Sequence, residues 1–237
     1  MKKKMFLIKK KGLMRIIAHR GARIEEPENT LRAIKRAFEC SADAVEIDVR
    51  LSKDHEIVVI HDDTLERTTN GSGKVDEKTL NQLRSLDAGK GEKIPMLSEV
   101  LLLAKERGIK VVIELKEVDM EELAVQEIVE AEMEKSVIIS SFFHHSLLKI
   151  KELAPTIKTG VILSSLPVFP VKLALDAKAD IIFQRYPRID REYIEEASRN
   201  GIAIYLWTIN TIEDFERVRE LGVLGVVTDN PCLFKSL

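Results

Sequence analysis

Short apolar runs alternate with amphipathic segments along nearly the whole chain, and this alternation restricts the fold more than any other feature. Eight runs have the length and Val/Ile content of strands, and several are apolar on both faces, as parallel strands covered by helices are. The predicted strands are Arg15–Ala18, Ala44–Val49, Lys110–Leu115, Val137–Ser140, Thr159–Leu163, Asp180–Phe183, Ala203–Leu206 and Leu224–Val227.

Segments with helical periodicity lie between these strands, and glycines that suit left-handed helix ends follow three of them. Eight strands separated by helices within 237 residues predict an α/β fold, the (β/α)8 TIM barrel. A doubly wound open sheet is the alternative. The predicted helices are Asn29–Cys40, Leu97–Arg107, Glu121–Glu134, His145–Leu153, Pro170–Ala177, Arg191–Arg199 and Ile212–Leu221.

One segment interrupts the alternation after the second strand. Glu56–His61 has the pattern of an additional strand, and residues 62–95 contain turn signals such as Asn70-Gly71 and Lys90-Gly91. We expect a small insertion of loops and short helices here, because insertions of this length usually cover the active-site face of a barrel. The barrel domain is therefore predicted to span residues 14–237.

Composition narrows the function classes. A net charge of -2 and a pI near 6.3 argue against nucleic acid as the partner, and no apolar run approaches a transmembrane length. Residues 1–13 are lysine-rich around the short apolar stretch Met5–Ile8, which predicts a disordered basic tail or a true start at Met14, with weak membrane-surface contact as the alternative. Cys40 and Cys232 are expected near opposite ends of the barrel and unbridged, which favours a cytoplasmic protein. The oligomeric state is left open.

Three carboxylates are expected to converge where neighbouring strands end, the face on which barrel enzymes carry their chemistry. Glu46 and Asp48 lie two residues apart and project to the same side of one strand, while Glu114 ends the next strand. Such carboxylates repel one another unless a cation joins them, and oxygen ligands without cysteine suit Mg²⁺, Mn²⁺ or Ca²⁺. The residues thus favour one divalent cation. Ion pairing with Arg50, Arg20 or Lys116 is the alternative.

Further polar and aromatic side chains lie at the same strand ends. His19 and His61 are suited to accept and donate protons near neutral pH, although either one alone would more commonly be structural. Arg20 and Lys116 supply positive charge for an anionic substrate, unless they only pair with the carboxylates. Trp207 either contacts a small polyol or belongs to the core. This set indicates metal-assisted cleavage of a small phosphate ester, and leaves monoesters, diesters and enolisation chemistry open.

The motifs "IIAHRG", "PENTLRAIKRA", "DAVEIDVRLSKDHEIVVIHDDTLERTTNGSGKV", "VVIELK", "LWTIN" and "GVVTDNP" occur in this order from Met14 to Pro231. Together they closely resemble the glycerophosphodiester phosphodiesterase family. The resemblance implies a barrel that hydrolyses deacylated phospholipids, such as glycerophosphocholine, to sn-glycerol 3-phosphate and an alcohol. It also implies site roles: metal ligands Glu46, Asp48 and Glu114, catalytic residues His19 and His61, phosphate-binding residues Arg20 and Lys116, and Trp207 beside the glycerol.

Two residues depart from the family pattern, and at His55, which is remote from His61, we expect an effect on stability rather than catalysis. His55 and Cys40 replace glycines that are common in the family, and a side chain at positive φ costs about 1 kcal/mol. A lysophospholipase D is the nearest alternative function. It would require an apolar trough, for which Phe142, Phe143 and residues 166–170 are candidates. A non-catalytic barrel that binds phosphodiesters or a protein is the alternative from another class. The preferred alcohol and metal are left open.

Overall fold

The computed structural model describes residues 14–235, which form a closed barrel. The predicted basic tail, residues 1–13, lies outside the described residues. The strands are β1 (Arg15–His19), β2 (Ala44–Leu51), β3 (Ile57–Val59), β4 (Lys110–Leu115), β5 (Val137–Ser141), β6 (Lys158–Leu163), β7 (Ile181–Arg185), β8 (Ala203–Trp207) and β9 (Gly225–Thr228). The helices are α1 (Leu31–Glu39), α2 (Leu80–Ser85), α3 (Leu97–Arg107), α4 (Glu121–Glu130), α5 (His144–Leu153), α6 (Pro170–Asp176), α7 (Arg191–Arg199) and α8 (Ile212–Leu221), and a 3₁₀ helix spans Pro231–Phe234.

Eight parallel strands form the ring, in the order β1, β2, β4, β5, β6, β7, β8 and β9. The ring is closed because β1 pairs with both β2 and β9, which excludes the open sheet. The strand β3 lies outside the ring and runs antiparallel to β2. The prediction of a TIM barrel is therefore confirmed. In the part of the chain that the structure describes, no helix is both long and apolar enough to cross a bilayer.

The segment after β3 forms the predicted insertion and has a small core of its own. Its apolar residues include Leu65, Val75 and Leu83, all of which are buried. The insertion contains α2. It is joined to β3 by a backbone hydrogen bond of 2.8 Å, which the Val59 N–H donates to the Pro95 carbonyl. Its Arg67 reaches Asp62 and Glu28, so the insertion covers one side of the barrel mouth.

The chain turns sharply between β1 and α1, and glycine is required there. Gly21 has φ of +81°, and a Cβ atom at this position would lie 2.6 Å from the backbone carbonyl carbon of Ala33. Since Arg20 also adopts positive φ, its backbone N–H turns to donate to the Glu46 carboxylate at 2.9 Å. The His-Arg-Gly sequence thus ends the strand and joins its end to the carboxylates of β2.

The two departures from the family pattern have different outcomes. His55 has φ of 61°, as the replacement of a turn glycine predicts. Cys40 has φ of -86°, so the expected strain at this residue is absent, and the next residue, Ser41, adopts the left-handed conformation instead. The helix α1 ends without needing glycine at position 40.

The expectation that Cys40 and Cys232 lie at opposite ends of the barrel is wrong. Their Cα atoms are 4.6 Å apart and the two residues form a disulfide. The prediction failed because the residues after β9 run back along α1, where the Lys235 ammonium donates to the Glu39 carbonyl at the end of that helix. The disulfide consequently joins the first helix of the barrel to the segment that follows the last strand.

Candidate active site

A pocket of about 190 Å³ opens at the carboxyl ends of the strands. Its two sides differ in character. The side formed by β1 to β4 is charged, whereas the side formed by β5 to β9 is largely apolar. The residues that line it are His19, Arg20, Glu46, His61, Val112, Glu114, Lys116, Ser140, Phe142, Ile162, Phe183, Trp207 and Val227. Asp48, the remaining predicted site residue, is fully buried beneath this surface.

The three predicted metal ligands form one cluster. Each of Glu46, Asp48 and Glu114 contributes a carboxylate oxygen, and these atoms lie within 4.8 Å of one another. The register of the barrel explains this, since Asp48 is directly opposite Glu114 in the β2–β4 pair and Glu46 is two residues earlier on β2. All three residues are buried. The arrangement is a compact, dry set of oxygen donors.

The alternative of a salt-bridge network is realised only in part. The Arg20 Nε lies 3.0 Å from an Asp48 oxygen, and the Lys116 ammonium lies 2.6 Å from Glu114 and 3.5 Å from Asp48. Arg50 is directed elsewhere, to Glu117 and to the His61 carbonyl.

Two buried oxygens of the cluster, Glu46 Oε1 and Asp48 Oδ1, have no hydrogen-bond partner among the described residues. Buried carboxylate oxygens without a donor are costly, so the residues fit a bound cation.

The pKa shifts of the cluster indicate unequal stabilisation of its three charges. Burial, followed by the proximity of Asp48 and Glu114, raises the pKa of Glu46 well above its usual range. Burial and Asp48 likewise raise the pKa of Glu114 to about 7. Burial also opposes the charge on Asp48, but Arg20 and Lys116 outweigh it and lower the pKa of this carboxyl group. Without a further cation, Glu46 and Glu114 therefore tend to be protonated.

Both histidines pair with a carboxylate through Nδ1. His19 Nδ1 lies 2.6 Å from Asp229, and His61 Nδ1 lies 2.6 Å from Asp62. A carboxylate at Nδ1 favours the tautomer with its proton on that nitrogen, which leaves Nε2 to face a substrate. The His19 Nε2 is 4.0 Å from a Glu46 oxygen. Burial lowers the pKa of His61, and the nearby Asp48 and Asp62 offset this only partly.

The carboxylate partner of His19 was missed in the sequence, although a signal was present. Asp229 directly follows β9, so it stands at a strand end like the other site residues, and it lies within the "GVVTDNP" motif. It accepts from the Asn210 amide at 2.7 Å as well as from His19. A search of all eight strand ends for polar residues would have included it.

The Pro-Glu-Asn-Thr motif, residues 27–30, supplies two further positioning residues whose role was not predicted. The Asn29 amide donates to Asp48 at 2.9 Å and fixes the orientation of that carboxylate. Glu28 pairs with Arg20, Arg23 and Arg67. Burial disfavours its charge, but these guanidinium groups, Arg67 first, lower the pKa of Glu28 to about 2. Glu28 therefore links the insertion to the phosphate-binding candidate Arg20.

Trp207 lies on the apolar side of the pocket. Its indole N–H donates to the Phe183 carbonyl at 3.0 Å, and its ring meets the Phe142 ring edge-on with centroids 6.2 Å apart. The Arg185 guanidinium lies 5.8 Å from the centre of the indole ring. Trp207 is only partly buried and lines the pocket, so part of its indole ring is available to a ligand. The polyol interpretation requires this exposure.

The profile of the glycerophosphoryl diester phosphodiesterase family matches residues 19–233. The chain belongs to this family. A glycerophosphodiester phosphodiesterase of Caldanaerobacter subterraneus subsp. tengcongensis is 42% identical over 228 residues, which cover 91% of this chain and 94% of the relative. One from Bacillus subtilis is 30% identical and covers 93% of this chain and 85% of its own length. The chain is accordingly a phosphodiesterase, an enzyme of the phosphoric diester hydrolase class.

Solved structures of the family share the fold. A glycerophosphodiester phosphodiesterase from Agrobacterium tumefaciens is 31% identical with a TM-score of 0.82, covering 95% of this chain and 100% of that one. A phosphodiesterase from Oleispira antarctica, solved with the product sn-glycerol-3-phosphate, is 29% identical with a TM-score of 0.86, covering 94% of this chain and 95% of that one. The family depends in general on a divalent cation, and the carboxylate cluster gives this chain a suitable set of ligands.

Proposed function

We propose that this phosphodiesterase hydrolyses glycerophosphodiesters to sn-glycerol 3-phosphate and an alcohol, with one divalent cation and a pair of histidines. One observation carries the proposal. Three buried carboxylates, two histidines paired with carboxylates, and two positively charged side chains, Arg20 and Lys116, meet at one small pocket. The solved relative that contains sn-glycerol-3-phosphate supports the assignment of the product. Such a reaction belongs to the turnover of deacylated phospholipids and connects lipid with glycerol metabolism.

Glu46, Asp48 and Glu114 would hold the cation, and their oxygen donors suit Mg²⁺, Ca²⁺ or Mn²⁺. When bound, such an ion supplies positive charge beside the phosphoryl oxygens and satisfies the unpaired carboxylate oxygens. Asn29 and Arg20 hold Asp48 in place, and the Arg20 N–H holds Glu46. The ligands are thus oriented by neighbours before an ion arrives.

Arg20 and Lys116 are proposed to bind the phosphate. Both line the pocket, on either side of the carboxylates, and their charges would balance the anionic diester. Burial opposes the charge on Arg20, but Asp48, Glu46 and Glu28 outweigh it and raise the pKa of this guanidinium. The Arg20 guanidinium therefore stays positively charged although it is buried.

The two histidines are proposed to exchange protons with the reacting oxygens. The attacking oxygen must lose a proton, and the departing alkoxide must gain one on the opposite side of phosphorus. We assign His19 as the base and His61 as the acid. Asp229 stabilises the imidazolium that His19 becomes, and Asp62 at Nδ1 supports the protonated form of His61 that would donate.

One observation favours the alternative function, that of a lysophospholipase D. Phe142 lines the pocket, and Phe143 and Leu166 lie on the adjacent loops with exposed side chains, so burial in the core does not account for them. An acyl chain would nevertheless have to lie along the outside of the mouth, because a pocket of about 190 Å³ is small even for a drug-sized ligand. We therefore retain the glycerophosphodiester as the principal substrate.

The test is an assay of the purified protein with Mg²⁺, Mn²⁺ or Ca²⁺ on glycerophosphocholine, glycerophosphoethanolamine, bis-glycerophosphate and lysophosphatidylcholine. The expected result is metal-dependent release of glycerol 3-phosphate from the first three substrates. Turnover of the lysophospholipid alone would replace the proposal by the alternative, and binding without turnover of any diester would indicate the non-catalytic barrel. The proposed cytoplasmic location stays a prediction, and the Cys40–Cys232 disulfide removes the cysteine argument for it.

A further inference from the structure

Large apolar side chains are exposed on three neighbouring loops beside the pocket. Of the fifteen exposed large apolar side chains in the described residues, six lie on the loops that follow β4, β5 and β6. These strands are adjacent in the barrel, so the loops meet at one side of the mouth. We call this set the apolar rim, and it consists of Val118, Phe142, Phe143, Leu166, Val168 and Phe169. Clustered exposure of this kind marks a contact surface more than scattered apolar residues do.

The tip of the rim projects outward and has a restricted backbone. Val168 and Phe169 are 86% and 66% exposed, the largest values among the exposed apolar side chains of the described part. Pro167 and Pro170 flank them, and Pro170 begins α6. Fixed φ angles at both prolines limit the ways in which this segment can fold back onto the barrel. The two side chains therefore form a convex ridge rather than a groove.

Positive charge lies next to the ridge. The strand β7 is next along the barrel. Arg185, its last residue, and Arg188, in the loop that follows it, are both exposed, and neither forms an ion pair with a described residue. On the opposite side of the mouth the guanidinium of Arg67, in contrast, is neutralised by Asp62 and Glu28. The side of the mouth that carries exposed apolar groups is thus also the side with unneutralised cations.

We propose that the apolar rim docks on an anionic phospholipid surface, with Val168 and Phe169 entering the interface and Arg188 contacting headgroups. A convex apolar ridge inserts readily into a fluid interface, whereas a folded protein partner would have to offer a matching cavity. Cations beside the ridge complement anionic lipids, which attract basic residues near their surface. This docking would bring the mouth to the place where deacylation of phospholipids releases glycerophosphodiesters. The proposal does not depend on the roles assigned to the histidines or the metal.

The single tryptophan makes the docking measurable in the full chain. Trp207 lies against Phe142 of the rim, so its fluorescence should be quenched by vesicles whose phospholipids carry brominated acyl chains. We expect quenching with phosphatidylglycerol vesicles and less with phosphatidylcholine vesicles. The double variant Val168→Ser/Phe169→Ser should require roughly tenfold more lipid or still more for half-maximal quenching, because two apolar side chains leave the interface.

Matched variants separate the rim from exposed apolar residues in general. Leu102→Ser/Val129→Ser removes two exposed side chains from the outer helices α3 and α4 and should leave the lipid concentration for half-maximal quenching unchanged. Arg188→Gln should reduce the preference for phosphatidylglycerol. Turnover of water-soluble glycerophosphocholine, measured with every variant, should equal that of the wild type, which shows that the variants fold.

The lysines of residues 1–13 require a second readout, because they could also bind anionic vesicles. They join the chain at Met14, before β1, at the opposite end of the barrel from Trp207. Binding through them would sediment the protein with vesicles without quenching Trp207. Sedimentation without quenching would therefore overturn the proposal, and so would equal quenching of the wild type and the Val168→Ser/Phe169→Ser variant. Self-association that requires Val168 and Phe169, in the absence of quenching, would assign the rim to a protein contact instead.

Discussion

The two sides of the pocket have opposite chemistry. The side from β1 to β4 holds the charged groups that we propose to act in the reaction, and the side from β5 to β9 presents Phe142, Phe183 and Trp207. Outside the pocket the Glu28–Arg67 ion pair lies beside the charged side, and five of the six residues of the apolar rim lie on the loops that follow β5 and β6. The proposed function thus assigns phosphate chemistry to the first half of the chain and recognition of the carbon skeleton to the second half.

The separation has a physical basis in burial. Carboxylates such as Glu46 are tolerated in a dry site only because backbone, amide and guanidinium donors surround the cluster. These donors come from the loop that directly follows β1. The other side makes few polar contacts, and Phe142 and Trp207 keep part of their ring surface in the pocket. Substitutions on the two sides should therefore fail in different ways.

The largest effect is expected from the carboxylate cluster. Glu114→Gln should lower kcat/KM for glycerophosphocholine by about a thousandfold, because a ligand of the cation and its charge are lost together. It should also weaken metal binding in a calorimetric titration. Exhaustive chelation of the wild type should abolish turnover and lower the melting temperature.

Glu117→Gln is the matched control for Glu114→Gln. Glu117 is a nearby carboxylate that pairs with Arg50 and is not part of the cluster. Its variant should retain activity and metal affinity within a few-fold. Turnover that survives chelation, or wild-type metal affinity in Glu114→Gln, would contradict the assignment of the charged side.

The roles of the two histidines should be distinguishable by the leaving group of the substrate. Proton donation is worth about 10²–10⁴-fold and matters only for a poor leaving group. His61→Ala should therefore cripple hydrolysis of glycerophosphocholine yet largely spare a glycerophospho-nitrophenyl ester, whose nitrophenolate departs without a proton. His19→Ala should damage both reactions, since the attacking oxygen is the same in each.

His55→Ala provides the control for a general effect of losing a histidine, because His55 is exposed in the β2–β3 turn. Rates are compared for both esters with all three variants. A reversed pattern would exchange the two roles. Equal losses on both esters for His19→Ala and His61→Ala would remove the division into acid and base.

Periodicity was sufficient to predict the ring of strands, because barrel strands are apolar on both faces and helices intervene regularly. The ends of elements were less predictable: α4 ends at Glu130, four residues before its predicted end at Glu134. The Cys40–Cys232 contact could not be inferred, since it depends on the path of the chain after β9. The periodic pattern carries no information about that irregular segment.

The candidate site was predictable where residues stand at strand ends, and the structure brings His19, Glu46 and Glu114 to one pocket. The groups that orient them were not predicted. Asn29 comes from a loop, and its contact with Asp48 depends on the close approach of backbone at Gly21. A contact between a loop and a strand is set by tertiary geometry, which spacing in the sequence does not encode.

A smaller effect is expected on the apolar side of the pocket. Trp207→Ala should lower kcat/KM for glycerophosphocholine about tenfold to a hundredfold, as expected when a bound carbon skeleton loses an aromatic face. Bis(p-nitrophenyl) phosphate, which has no glycerol, should be hydrolysed poorly and equally by both proteins. Choline, ethanolamine and glycerol esters should differ modestly, because we expect the departing alcohol to face the mouth of the barrel.

Trp207→Phe should restore most of the loss, since it keeps an aromatic ring beside Phe142. The comparison requires kcat and KM separately for each ester. Equal turnover of bis(p-nitrophenyl) phosphate and glycerophosphocholine by the wild type would contradict recognition of glycerol. If Trp207→Ala lowered kcat/KM equally for glycerophosphocholine and bis(p-nitrophenyl) phosphate, Trp207 would act on the phosphate reaction and not on glycerol.

The smallest effect concerns the stability of the metal-free protein at different pH values. Burial and Asp48 raise the pKa of Glu114 to about 7, and the pKa of Glu46 is raised as well. Folded protein therefore binds more protons than unfolded chain between the usual glutamate pKa and about pH 7. These two groups therefore lower the free energy of unfolding as pH rises through that window. His61, whose pKa is lowered, opposes them below the usual histidine pKa, and we expect a net fall of about 1–2 kcal/mol. Chelated protein should accordingly melt at a lower temperature at pH 8 than at pH 5.5.

Acids with lowered pKa, such as Glu28, do not interfere, because their contribution is complete above the usual glutamate pKa and is lost only in stronger acid. A saturating concentration of metal should remove the fall in the free energy of unfolding with pH, because a bound cation favours the ionised carboxylates. Glu114→Gln should reduce it, since the glutamine cannot ionise, whereas Glu117→Gln should not. If the chelated protein were more stable at pH 8 than at pH 5.5, the carboxylates would already be balanced by Arg20 and Lys116, and the charged side would need no cation.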